Sequence, residues 1–217
     1  MIVNEIFLSI DGEGKRAGEL AIFIRLAGCN LRCSYCDTAY ALTADAGQKM
    51  SVDQILSKVN QLSEKIIKNV TLTGGEPLIH KDVKTLIESL IDNYYEVNVE
   101  TNGSIFPPIP SKPGSLFYTM DFKCLTSNES GRMNHSALSS LTDNDVLKFV
   151  VGSSEDLDQM RDVISNLNTD AKIYISPVFG KIDPKDIVAY MIQYHMYNAR
   201  IQLQLHKFIW DPSERGV

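Results

Sequence analysis

Along most of this chain, short runs of β-branched residues alternate with segments of helical periodicity, and that alternation constrains the fold more than any other feature. Residues 21–27, 70–72, 97–99, 117–120, 146–151 and 172–175 read as strands by residue type and length. Residues 200–205 alternate polar and apolar side chains and read as a last strand with one buried face. Between the strands, Val52, Ile55, Leu56, Val59, Leu62 and Ile66 recur at helical spacing, and Ser51 with Gln54 forms a capping-box pattern. Val83, Leu86, Ile87 and Leu90 give a second helix, and Leu157, Met160, Ile164 and Leu167 a third. Asp183-Pro184 opens a fourth with an N-cap and a first-turn proline. Repeated βα units with right-handed crossovers favour a parallel sheet, either an open doubly wound sheet or an incomplete barrel. Periodicity does not choose between them. Residues 106–114 hold four prolines and read as a rigid connection, so one domain over residues 1–217 is expected.

A net charge of −6 lacks the basic excess needed to grip a phosphate backbone, which argues against a nucleic-acid partner. The N-terminus carries no basic segment ahead of an apolar stretch, and no run approaches the ~18 apolar residues of a spanning helix. A cytoplasmic protein without membrane contact is the expectation.

Four cysteines occur, and Cys29, Cys33 and Cys36 fall within eight residues while Cys124 stands alone. Such clustering is a metal or redox pattern rather than a disulfide framework. Three thiolates on one loop leave one iron of a [4Fe–4S] cubane open, whereas electron-carrying ferredoxin clusters use four. A structural zinc site would want a fourth ligand nearby, and His80, His135, His195 and His206 are all distant in sequence. Thr73-Gly-Gly-Glu-Pro77 and Glu100-Thr-Asn-Gly103 each end a strand, where parallel α/β folds keep their sites. Gly74 and Gly75 would let backbone approach a ligand, and Glu76 could accept from an ammonium. Each segment taken alone also reads as a simple strand-terminating turn.

The cysteine spacing followed by Thr73-Gly-Gly-Glu-Pro77 resembles the radical S-adenosylmethionine superfamily. That resemblance implies a [4Fe–4S] cluster whose open iron binds S-adenosyl-L-methionine, which is cleaved to a 5′-deoxyadenosyl radical. Asp11-Gly-Glu-Gly14, Cys36-Asp-Thr38 and the ending from His206 to Arg215-Gly-Val217 further resemble the 7-carboxy-7-deazaguanine synthase family. The family resemblance implies an incomplete (βα) barrel of about six strands with a C-terminal extension, assembled as a homodimer and reduced by a donor such as flavodoxin. It implies conversion of 6-carboxy-5,6,7,8-tetrahydropterin to 7-carboxy-7-deazaguanine with loss of ammonia, on the route to queuosine and other deazapurines. Matching positions assign Ile10, Asp11, Gly12, Glu13, Arg25, Thr73, His206 and Val217 to the substrate and Thr38 to Mg2+. They assign Gly74, Gly75, Glu76, Glu100, Asn102, Asp121, Phe122, Lys123, Ser176, Pro177, Val178 and Phe179 to S-adenosylmethionine. Asp11 stands where many family members carry Gln. The other readings are a glycyl-radical-activating enzyme, which shares the cysteine spacing, and a noncatalytic iron–sulfur module, which leaves the Gly-Gly-Glu-Pro motif idle.

Overall fold

The computed structural model describes residues 1–109, 115–212 and 214–217, so the proline-rich connection at 106–114 lies partly outside the described residues. Strand β1 (Ile2–Ile10) forms an antiparallel hairpin with β2 (Leu20–Leu26), and the two-residue β3 (Gln48–Lys49) borders β1. There follow α1 (Val52–Ser63), β4 (Asn69–Gly74), α2 (Val83–Asp92), β5 (Glu96–Thr101), β6 (Leu116–Lys123) and α3 (His135–Ser139). The chain continues through β7 (Val146–Val151), α4 (Ser154–Asn166), β8 (Lys172–Pro177), α5 (Pro184–Gln193), β9 (Ala199–Ile201) and α6 (His206–Ile209). The helix starts follow the sequence signals. Ser51 and Gln54 make the reciprocal capping box of α1, and Asp183 caps α5 ahead of Pro184.

One nine-stranded sheet runs β3-β1-β2-β4-β5-β6-β7-β8-β9, and every pairing from β2 onward is parallel. Apart from β3, set beside β1, the strands from β2 to β9 neighbour one another in chain order, without the reversal that defines a doubly wound sheet. Right-handed crossovers in that order drop the connecting helices on the same side and curve the other side inward. Strands β3 and β9 are the two edges, so the sheet is an incomplete barrel.

Side-chain alternation divides the two faces. On the helix side, Ile22, Ile24, Leu72, Val99, Met120, Phe149 and Ile175 are fully buried in one apolar cluster with Ile55, Leu86 and Ile187 of the helices. Each such side chain contributes about 1.5–3 kcal/mol of burial. The inward positions are mostly polar, with Phe23, Phe117 and Val150 among the apolar exceptions. Near the amino ends of the strands the polar groups satisfy one another: Arg16 bonds Asp11, Thr71 and the Val70 and Glu96 carbonyls, while Thr119 donates to Asn98. The carboxyl ends remain open and build the site.

Two expectations need correction. The hairpin strand β1 has no counterpart in the sequence reading, and the last strand stops at Ile201 instead of reaching 205. Beyond it the backbone is captured by the loop after β1: the Gln202 side chain pairs with both backbone groups of Gly14, and Leu205 N–H donates to the Gly12 carbonyl. His206 therefore opens a short helix rather than ending a strand. Among the described residues, no helix is long and apolar enough to cross a membrane.

Candidate active site

Two cavities open at the carboxyl ends of the strands. The first, about 450 Å³, is lined by Cys29, Cys33 and Cys36 together with Gly75, Asn102 and Lys123. The second, about 370 Å³, is lined by Ile10, Gly12, Arg25, His206, Arg215 and Val217. Glu13, Asp37, Thr38, Thr73, Glu100, Gln204 and Lys207 line both, so the two form one continuous site. A larger recess of about 560 Å³ against α4 brings none of the motif residues together.

The cysteine loop is seated by the motif after β4. Gly75 N–H donates to the Leu26 carbonyl and Glu76 N–H to the Gly28 carbonyl, at 3.0 and 2.8 Å. A β-carbon on Gly75 would stand 2.1 Å from the Gly28 oxygen, so only glycine permits this approach. Among the described residues, no group of three or more His, Cys, Asp or Glu side chains is gathered to hold a single metal ion. A cubane asks for something different, one thiolate at each of three iron corners, and three free thiols along a cavity wall suit it. Burial pushes the Cys33 and Cys36 thiols upward, with the Lys123 ammonium pulling the other way, so ligation would draw on the metal's charge to free the thiolates. Asn102 Nδ2 lies 3.7 Å from Cys29 Sγ and can donate to it.

The strand parity decides which of the expected residues face the site. On β6, Asp121 and Lys123 line the cavity while Phe122 points out and packs on Phe149 in the core. Glu76 is also withdrawn: its carboxylate accepts from Leu78 N–H, the Thr101 hydroxyl and Asn102 N–H, tying β4 to β5. Burial raises its pKa to about 7 against those three bonds. Asp11 faces the floor, paired with Arg16 at 2.9 Å and accepting from Thr71, and both its backbone groups serve the hairpin loop. Ser176 is buried with no partner for its Oγ among the described residues, and Pro177 lines an adjacent groove, whereas Val178 and Phe179 reach the cysteine cavity. The remaining expected positions line one cavity or both.

Three charged arrangements organise the seam. Lys148 lies between Glu13 and Asp121, and Asp121 also holds Lys123 at 2.7 Å. Glu100 is raised to about 7 by burial, with Lys148 opposing. Asp37 accepts from the Thr38 hydroxyl at 2.9 Å; the partial desolvation of its place at the cavity mouth would raise its pKa, but Lys207 at 3.0 Å overrides that and holds it to about 2. In the second cavity Arg25 Nε bonds Glu5 at 2.7 Å, Tyr40 donates to the same carboxylate, and the Arg215 guanidinium sits 4.0 Å from the Tyr40 ring centre. Sequence reasoning missed Lys148, Lys207 and Tyr40. A lysine inside the otherwise apolar run of β7 was the one available signal; Lys207 comes from the short α6 and Tyr40 from a 3-10 turn after the cysteine loop, both of which only the fold brings here.

The Radical SAM superfamily model matches residues 23–110. The 7-carboxy-7-deazaguanine synthase of Clostridium acetobutylicum is 42% identical, covering 99% of this chain and 98% of its own. That of Methanospirillum hungatei is 43% identical over 98% of this chain and 86% of its own. In fold, the chain is similar to the crystal structure of QueE from Escherichia coli, with a TM-score of 0.74, 24% identity and coverage of 94% and 93%.

Proposed function

Since the chain belongs to the 7-carboxy-7-deazaguanine synthase family, we propose that its two joined cavities hold S-adenosylmethionine on one side and the pterin on the other. The protein is a radical S-adenosylmethionine lyase: it converts 6-carboxy-5,6,7,8-tetrahydropterin to 7-carboxy-7-deazaguanine, contracting the six-membered pyrazine ring to five and releasing one nitrogen as ammonia. The observation that carries the division of the site is its shared seam, with the thiols on one side and the Gly12 loop and C-terminal tail on the other. A glycyl-radical-activating enzyme or a noncatalytic module gives no reason for a tail folded into a second cavity.

Cys29, Cys33 and Cys36 would hold the [4Fe–4S] cluster, which with bound S-adenosylmethionine supplies a 5′-deoxyadenosyl radical. The chain's own residues then bind and orient. Gly75, Asn102, Asp121, Lys123 and Val178 wall the cofactor side. On the substrate side, Arg25 has its Nε taken by Glu5, which leaves the terminal nitrogens of the guanidinium for the pterin carboxylate. His206 offers a ring nitrogen, and Val217, lining the same cavity, would offer its carboxylate as an acceptor for pterin N–H groups. Glu100 sits at the seam with a pKa near the working range, where it can hold or release a proton.

The Thr38 hydroxyl would hold a magnesium ion together with the substrate carboxylate. Its support is position on the seam and an oxygen donor set with Asp37, the kind hard cations take. Thr38→Ala should weaken the magnesium response while S-adenosylmethionine binding survives; an unchanged response removes Thr38 from the metal site. A homodimer reduced by a flavodoxin-type donor completes the reading, tested by light scattering and by replacing dithionite with reduced flavodoxin. The central experiment is anaerobic: reconstituted protein, dithionite, S-adenosylmethionine, magnesium and 6-carboxytetrahydropterin should yield 7-carboxy-7-deazaguanine by mass. Cleavage of S-adenosylmethionine without that product would overturn the substrate assignment.

A further inference from the structure

Strand β7 reads Val-Leu-Lys-Phe-Val-Val, buried throughout, with a single charged residue at its centre. Lys148 is 4% exposed. An ammonium so placed is costly unless it is paired on every side, and this one is. Burial would lower its pKa, but the carboxylates of Asp121, Glu13 and Glu100 overcome that and hold it charged. Asp121 is its register partner on β6, with Oδ1 at 3.0 Å, and Glu13 Oε1 closes the other side.

The two carboxylates differ in what else they have. Asp121 keeps a second ammonium, Lys123, at 2.7 Å. Glu13 lines both cavities and has Lys148 on Oε1 alone, while its Oε2, buried beside them, finds no hydrogen-bond partner among the described residues. A buried carboxylate oxygen left unmatched beside a cavity is an acceptor waiting for a ligand donor, and a reduced pterin carries several N–H groups.

We propose that Lys148 is a positioning residue: by holding Glu13 Oε1 it aims Glu13 Oε2 at the N–H groups of the pterin, and through Asp121 it keeps the substrate half of the site in register with the cofactor half. This rests on the family reaction stated above. Because Asp121 has Lys123 in reserve and Glu13 has no second ion-pair partner among the described residues, removing Lys148 disturbs substrate binding far more than cofactor binding.

The test is a double-mutant cycle on the reconstituted holoenzyme with Lys148→Met, Glu13→Gln and the pair. Lys148→Met should raise the KM for 6-carboxytetrahydropterin about tenfold or more. The S-adenosylmethionine dissociation constant, read from the change in the reduced cluster's paramagnetic resonance spectrum, should stay within about threefold. The pair should be no worse than the worse single variant. A pterin KM within twofold of wild type, an equal loss for S-adenosylmethionine, or effects that multiply would each reduce Lys148 to a structural ion. Should Lys148→Met fail to fold, Lys148→Gln with Glu13→Gln, which leaves no unpaired carboxylate at position 13, completes the same cycle. Wild-type product formation in the same series reports separately on the reaction: its absence overturns the substrate named here, whereas the cycle alone judges Lys148.

Discussion

His206 Nδ1 occupies the place that a side chain on residue 12 would need: a β-carbon built on Gly12 stands 2.0 Å from it. The contact is fastened beside it by the 2.8 Å bond from Leu205 N–H to the Gly12 carbonyl. The N-terminal loop and the C-terminal segment are thus one surface of the second cavity, though nearly the whole chain separates them.

Gly12→Ala should force that surface apart. Displacing a binding group by about 1 Å costs on the order of tenfold to a hundredfold in rate. We expect a loss in that range with iron content unchanged, because the cysteine loop does not touch Gly12. Wild-type turnover in Gly12→Ala would mean that the ring's position is immaterial.

Cys124 is fully buried beside the Phe122 carbonyl and lines neither cavity. Cys124→Ala should retain the cluster's iron and brown absorbance and lose only on the order of 1 kcal/mol of stability from a small cavity. Cys33→Ala should lose the cluster. Equal iron loss in both variants would defeat the three-thiolate assignment.

The tail offers a cleaner separation of the two halves. Deleting residues 215–217 removes Arg215 from the Tyr40 ring and the Val217 carboxylate from the cavity without touching the thiols. Cluster assembly and S-adenosylmethionine binding should persist, and turnover of the pterin should fall by at least about tenfold, the scale of one lost charged contact. Unaltered KM and kcat would show the tail to be idle.

Glu76 makes stability depend on pH. Its folded pKa is raised, to about 7 from an ordinary carboxylate value of 4.5, so the folded state binds the proton more tightly than the unfolded chain. The contribution is present below about pH 4.5 and is lost as pH rises through about 7. Apo protein should melt at lower temperature at pH 8 than at pH 5.5, and Glu76→Gln should flatten that slope. An identical slope in wild type and variant would assign it elsewhere.

Much of this protein could be read from its residues in order. The parallel βα alternation, the Ser51 capping box, the Asp183-Pro184 helix start and the three-cysteine loop all rest on neighbours a few positions apart, and local spacing carries that information. Position along a strand even carries the correction at Phe122, since period two separates it from Asp121 and Lys123. What the order of residues did not contain was closure. Barrel rather than doubly wound sheet, Asp11 turned to Arg16, Glu76 spent on β5, Gln202 clamping Gly14, and Lys148 held between Glu13 and Asp121 are pairings between distant segments. Each pairing is decided by which buried charge or backbone group finds its partner once the sheet has curved. Burial makes an unmatched polar group costly, so the choice of partner belongs to the assembled tertiary structure and to no single stretch of chain.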